Sequence, residues 1–249
     1  MSATAESLRP DWPPHVNLRV QGRETRTAQA GDVSSNRRRD ERSVIASKHT
    51  LRRTMRARRR ALPRHRRRTA SHQLAYHLTR SAVFAHSREI ACYLAVGGEM
   101  DLMPFMRIAW RHGKHVYLPC VDAQGHMTFR RYDGPQTPMR NNRFGIAEPM
   151  SGRRRRAREL DLVLAPLVAF DPYGNRLGMG GGFYDRTFAF LGRRPRWQRP
   201  RLIGVGYRFQ RVPQLPAEPW DVVLWAYATE RGLTRCAGER LCLDKNKER

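Results

Sequence analysis

The ten residues "DLVLAPLVAF" (161–170) constrain this chain more than any other stretch. They are apolar at nearly every position, so the segment has no wet face and reads as a strand buried on both sides. The run is too short to cross a bilayer, and Asp161 and Pro166 interrupt it. A strand covered on both faces needs parallel neighbours beside it and helices above and below.

The flanking sequence supplies both. "EIACYLAV" (89–96) reads as a buried strand ended by Gly97 and Gly98. "LMPFMRIAWRHG" (102–113) switches to helical spacing and closes at Gly113, and "KHVYLPCV" (114–121) returns as a strand. That unit implies a parallel pair joined by a right-handed crossover. "HMTFRRY" (126–132) reads as an edge strand or hairpin arm, while "RLIGVGY" (201–207) and "DVVLWAYAT" (221–229) add two strands. The predicted fold class is therefore α/β: a mostly parallel open sheet, helices on both faces, and a nucleotide site at the carboxyl edge of the strands.

Upstream, "SKHTLRRTMRARRRAL" offers Ser47 as a helix N-cap. Leu51, Met55 and Leu62 fall on one side before Pro63 stops the helix. A second helix carries Ala70, Leu74, Leu78 and Val83 at helical spacing. Residues 1–46, rich in Ser, Thr, Ala, Arg and Pro, show no sustained apolar period and are expected to be a disordered basic and polar extension. The domain is expected over 47–233, with 234–249 a flexible tail and 141–160 a long polar, mobile connection.

Charge needs a separate account. The net charge is +26, and residues 48–80 hold twelve basic residues and no acidic one. Nearly all of this excess is arginine. Solvated helix faces that attract anions nonspecifically account for it; nucleic acid is then a nonspecific partner rather than a dedicated one. The four cysteines show no C-x-x-C spacing, and Cys92 and Cys120 lie in strand-like runs, as reduced core thiols do in a cytosol. No signal pattern opens the chain, so a cytoplasmic protein without membrane partners is expected, as a monomer.

The chemistry is concentrated in "NRLGMGGGFYDRT" (175–187). Clustered glycines cost backbone entropy and need a geometric reason. Set between a buried strand and a helix, they let backbone N–H groups approach phosphate, although the segment is neither a dinucleotide fingerprint nor a Walker A loop. Arg176 offers a guanidinium for bidentate phosphate contact. Asp185 offers a carboxylate for Mg²⁺, or merely a favourable charge in a helix's first turn. Asp221 is a second carboxylate near the same edge, or a turn residue opening a strand.

"LVLAPLVAFDPYGNRLGMGGGFYDRT" closely resembles the signature segment of the 5-formyltetrahydrofolate cyclo-ligase family, and the similarity runs over residues 48–230. Further family elements appear in order as "KHTLR" (48–52), "CYLAVGGEMD" (92–101), "GKHVYLP" (113–119), "GIAEP" (145–149), "IGVGYRFQ" (203–210) and "LPAEPWD" (215–221). The resemblance implies ATP-dependent closure of 5-formyltetrahydrofolate to 5,10-methenyltetrahydrofolate, with Mg²⁺. It implies ATP contacts from Lys48, His49, Thr50, Leu51 and Arg52, and from the cradle Arg176, Leu177, Gly178, Met179, Gly180, Gly181, Gly182, Phe183 and Tyr184. It implies catalytic roles for Arg176 and Tyr184, substrate contacts from Glu99 and Tyr184, and Mg²⁺ carboxylates at Asp185 and Asp221. One departure falls on the folate side: Leu102 stands where the family commonly has threonine. Two rivals use the same scaffold: a noncatalytic RNA binder, and a sugar-phosphate isomerase with Glu99 as base.

Overall fold

The computed structural model describes residues 32–193 and 199–237. Its centre is an eight-stranded sheet. In chain order the elements begin with α1 (Asp32–Ala61), α2 (Arg64–Thr79), α3 (Ala82–Ala85), β1 (Glu89–Ala91), α4 (Met103–Arg111) and β2 (His115–Val121). There follow β3 (Met127–Arg131), β4 (Met139–Asn141), β5 (Ala147–Pro149), β6 (Arg154–Arg155), β7 (Leu162–Pro166), β8 (Ala169–Phe170) and β9 (Arg176–Leu177). The chain continues with α5 (Phe183–Phe188), α6 (Phe190–Arg193), β10 (Arg201–Val205), β11 (Ala226–Thr229) and β12 (Gly232–Arg235).

The sheet order is β12-β11-β10-β7-β1-β2-β3-β6. The run from β11 to β2 is parallel, and β12, β3 and β6 add antiparallel edges. The predicted α/β class, crossover and hairpin arm are all present. β7 sits in the middle, and its apolar residues serve both layers. Leu162 and Leu164 pack with Ile90, Val116 and Ile203 beneath α2 and α4. Val163 and Ala165 face the opposite layer with Ala91, Tyr117 and Phe188. Burying each such side chain contributes about 1.5–3 kcal/mol, which explains why a two-sided apolar strand must be central.

Several expected boundaries move. The first helix does not start at Ser47: α1 is helical from Asp32, because the arginine-rich run before Ser47 contains no helix breaker. Residues 1–31 of the expected extension lie outside the described residues. The expected strand 161–170 stops at Pro166, which has no N–H to continue the ladder. Beyond it, β8 leaves the sheet to pair with β9. The polar segment 141–160 is structured, since β4 and β5 form a hairpin and β6 joins the main sheet. The strand expected over 221–229 begins only at Ala226, so Asp221 lies in the preceding loop. The tail expected from residue 234 is ordered to 237: Arg235 pairs with Ala226, and the Ala237 N–H donates to the Pro172 carbonyl at 3.0 Å. Residues 238–249 lie outside the described part.

Candidate active site

A cleft of about 1030 Å³ opens where the parallel strands end. Its walls come from the segment after β1 (Tyr93, Leu94, Val96, Glu99), the end of β2 (Pro119, Val121) and the end of β7 (Pro166, Leu167). Ligands of open α/β sheets bind at this edge, because the loops there are free to vary while the strands hold them.

The glycine loop forms another wall, and a hairpin delivers it there. Asp171, fully buried, accepts from the N–H groups of Tyr173, Asn175 and Leu215 and from the Asn175 amide. This four-bond anchor fixes the turn from β8 to β9, so Arg176 and the following glycines emerge at the cleft. Gly180 has φ +106°, a conformation that L side chains rarely adopt, and a Cβ there would meet no atom within 4 Å. A Cβ on Gly178 would likewise point into open space. At these two positions the bare backbone borders open space, as a phosphate cradle requires, whereas a Cβ on Gly181 would meet the Phe183 ring at 2.7 Å and one on Gly182 the Arg186 guanidinium at 2.8 Å. The helix after the loop ends at Phe188 and restarts as α6.

Arg176 is not a free hand at the loop mouth. Its side chain is 5% exposed; Nη2 donates to Asp185 Oδ1 at 2.6 Å, and Nη1 donates to the Val222 carbonyl. The Val222 N–H also donates to Asp185 Oδ1, at 3.1 Å. Arg176 thus fixes Asp185 and ties the glycine loop to the loop of Asp221. Asp221 lines the same wall, and its Oδ2 accepts the Glu218 N–H at 2.9 Å. Among the described residues, no three His, Cys, Asp or Glu side chains gather as a metal cluster. Two carboxylates on one wall suit Mg²⁺ all the same, because that ion keeps waters and takes further oxygens from phosphates.

α1 reaches the cleft beside these two loops. Lys48 and Arg52, one helical turn apart, both line it. Lys48 Nζ lies 3.0 Å from Glu218 Oε1, and Arg52 Nε donates to the Gly178 carbonyl at 2.9 Å. His49 and Thr50 are exposed and line no part of the cleft, and Leu51 packs against the small core of Met55, Val168 and Leu177. The helix period divides the "KHTLR" element in this way: positions i and i+4 face the cleft, and the residues between them do not.

Glu99 sits at the far end of the cleft, 9% exposed. Its Oε1 is 3.4 Å from Arg59 Nη1, and its Oε2 accepts the Val96 N–H at 3.2 Å. Burial pushes its carboxyl above the usual range, although Arg59 pulls the other way. Burial, and next the Glu99 carboxylate, also hold the Tyr184 hydroxyl well up, so that it stays protonated. Its ring stacks on Phe188 with centroids 6.1 Å apart.

Three participants escaped the motif reading. Arg59 was one charge in a basic run; its 2% exposure and its partner Glu99 single it out only in three dimensions. Glu148, in the "GIAEP" element, is buried and accepts from the Val121 N–H and the Asn142 amide, docking the β4–β5 hairpin at the cleft. Phe144, at the tip of that hairpin, meets Phe183 edge-on at 5.5 Å.

Known proteins resemble this chain in sequence and fold. The family model described as the 5-formyltetrahydrofolate cyclo-ligase family matches residues 44–230. A 5-formyltetrahydrofolate cyclo-ligase of Escherichia coli K12 is 39% identical over 181 residues, covering 70% of this chain and 96% of that one. Its counterpart in Haemophilus influenzae is 43% identical over 145 residues, covering 56% and 74%. A solved Aquifex aeolicus 5,10-methenyltetrahydrofolate synthetase superposes with a TM-score of 0.66 at 32% identity, over 76% of this chain and 93% of its own. The matched span takes in every cleft wall, from Lys48 on α1 through the glycine loop to Asp221, and on that basis this chain belongs to the 5-formyltetrahydrofolate cyclo-ligase family.

Proposed function

We propose that this chain closes 5-formyltetrahydrofolate to 5,10-methenyltetrahydrofolate with ATP, releasing ADP and phosphate. The observation that carries the reading is one continuous cleft joining Lys48, Arg52, the open-sided glycines, Asp185, Tyr184 and Glu99. A formyl group on nitrogen is amide-like and a poor electrophile. Transfer of the γ-phosphoryl group to the formyl oxygen makes that oxygen a leaving group and the carbon iminium-like. N10 then attacks the carbon, and loss of phosphate leaves the methenyl bridge.

Such chemistry depends on positioning and charge stabilisation more than on a protein nucleophile. Lys48 and Arg52 contact the phosphates, and the N–H groups of residues 178–182 line their path. Bound Mg²⁺ would neutralise charge on the phosphate oxygens, with Asp185 and Asp221 as its carboxylates. Arg176 acts by holding Asp185 in place. Glu99 orients the pterin side near N10, and Tyr184 supplies a protonated hydroxyl and an apolar ring beside it.

The test is direct. Purified protein with 5-formyltetrahydrofolate, ATP and Mg²⁺ is expected to generate the methenyl absorbance band, and omission of ATP is expected to abolish it. Absence of the band in the complete mixture rejects the reading.

A further inference from the structure

α1 carries one buried arginine among exposed ones. Arg58 and Arg60 face solvent, whereas Arg59 is buried against the loop that follows β1. Its Nε donates to the Gly97 carbonyl at 3.1 Å, and its Nη1 lies 3.4 Å from Glu99 Oε1. The loop is shaped to receive it. Gly97 and Gly98 have φ of +57° and +80°, and a Cβ on Gly98 would stand 3.0 Å from the Arg59 carbonyl oxygen. Glycine at both positions lets the loop take a left-handed turn close against the helix backbone.

Helix geometry gives this arginine a second relation. Arg59 follows Lys48 by eleven residues and Arg52 by seven, close to three and two whole turns. The three side chains therefore share one face of α1 over a length of about 16 Å. Lys48 meets Glu218 and Arg52 meets the Gly178 carbonyl, so one end of that face binds the two loops of the phosphate end. Arg59, at the other end, binds the loop of Glu99. Between them Met55 is buried with Val168 and Leu177, which seats the helix on the fold. The other ionisable groups about Glu99 are Arg56 on α1, Arg67 on α2, Tyr93 after β1, Tyr184 on α5 and Tyr207 after β10. Burial holds the three hydroxyls protonated, and arginine does not deprotonate in proteins, so among these groups Glu99 alone changes charge.

We propose that Arg59 is a positioning residue for cyclisation: it holds the Glu99 carboxylate toward the cleft, and through α1 it keeps the folate end of the site in register with the phosphates held at Lys48 and Arg52. The inference rests on the cyclo-ligase reading, because that reading supplies the substrate that Glu99 orients. A carboxylate accepts N–H donors of a reduced pterin with both oxygens only while ionised, and burial opposes that state. Arg59 supplies the opposite charge that burial makes necessary, and its effect on the reaction is exerted through Glu99.

The test is a double-mutant cycle of Arg59→Met with Glu99→Gln, read by methenyl formation over a range of pH. Arg59→Met is expected to lower kcat/KM for 5-formyltetrahydrofolate ~10²-fold, as a displaced orienting group does, and to leave the Kd of ATP unchanged by calorimetry. The acid limb of its pH profile should move to higher pH, because the burial of Glu99 is then unopposed, and Arg59→Lys should return the limb towards its wild-type position. In the Glu99→Gln background the same Arg59→Met substitution should change kcat/KM by less than about twofold. That background also keeps the fold, since no lone charge is left buried in it. A loss of about tenfold or more there, or an unmoved acid limb in Arg59→Met, overturns the proposal while leaving the cyclisation reading intact. A wild type that forms no methenyl product removes the cyclo-ligase reading, and the proposal falls with it.

Discussion

Glu89 opens β1 and Glu99 lies in the loop that follows that strand, and the fold treats them in opposite ways. Glu89 opens β1 at the amino edge of the sheet, where Tyr117, His115 and Arg155 all bond to its carboxylate. Burial alone would raise its pKa, but these bonds outweigh burial and lower it to about 2. Glu99 lies past the other end of β1, with one arginine at 3.4 Å and one backbone N–H, and there burial wins. The difference lies in how many donors each carboxylate receives. A fully satisfied charge stabilises the fold, whereas an under-satisfied one is held ready for a ligand at a cost in stability.

The strongest way to test this contrast is at Asp185, on the same edge as Glu99. Asp185→Asn is expected to lower kcat/KM at least ~10²-fold, since it removes charge where phosphate oxygens and their metal must be held. Raised Mg²⁺ should recover part of the rate. Wild-type kinetics across a Mg²⁺ titration would remove Asp185 from the site. Arg52→Ala comes next, with an expected rise of roughly tenfold in KM for ATP from the loss of one charged phosphate contact. An unchanged KM would leave Arg52 only its bond to the Gly178 carbonyl.

The two glutamates should then separate by the sign of their pH dependence. Glu89 has a lowered pKa, so its contribution is fully present above the unfolded value of 4.5 and is lost as pH falls towards 2. Glu89→Gln should cost about 1–2 kcal/mol at neutral pH, after allowance for solvent screening, and should leave turnover near normal. Glu99 has a raised pKa, so the wild type loses stability as pH rises from 4.5 through its folded value. Glu99→Gln should therefore remove that downward slope while reducing turnover. Urea unfolding at a series of pH values measures both slopes; the same sign in both variants would refute the contrast. The smallest effect is expected for His49→Ala, since His49 is exposed and outside the cleft although it lies between Lys48 and Arg52. Its stability should change by less than about 0.5 kcal/mol, with an unaltered KM for ATP. A clear rise in that KM would place His49 in the site.

Much of the layering was legible from local pattern. Alternating burial along "DLVLAP" tells which residues face which layer, because a strand's side chains alternate whatever surrounds them. The helical period separates Lys48 and Arg52 from His49 and Thr50 on similar grounds, once one residue is known to face the cleft. The glycines of 178–182 announce a backbone requirement, because only glycine takes φ +106° without strain. The β4–β5 hairpin was not legible: its strands are three residues each, and a buried glutamate, Glu148, holds it in place.

By itself, then, the sequence determined the sheet-and-helix layering, the glycine loop and the identity of the family, since each is written in residue order and spacing. Only the tertiary structure decided which charges meet. Lys48 finds Glu218 across 170 positions, Arg59 finds Glu99, and Arg176 turns to Asp185 instead of standing free at the loop mouth. The physical reason is that side-chain periodicity follows from local backbone geometry, whereas an ion pair depends on distance and desolvation, which are set when remote segments pack together.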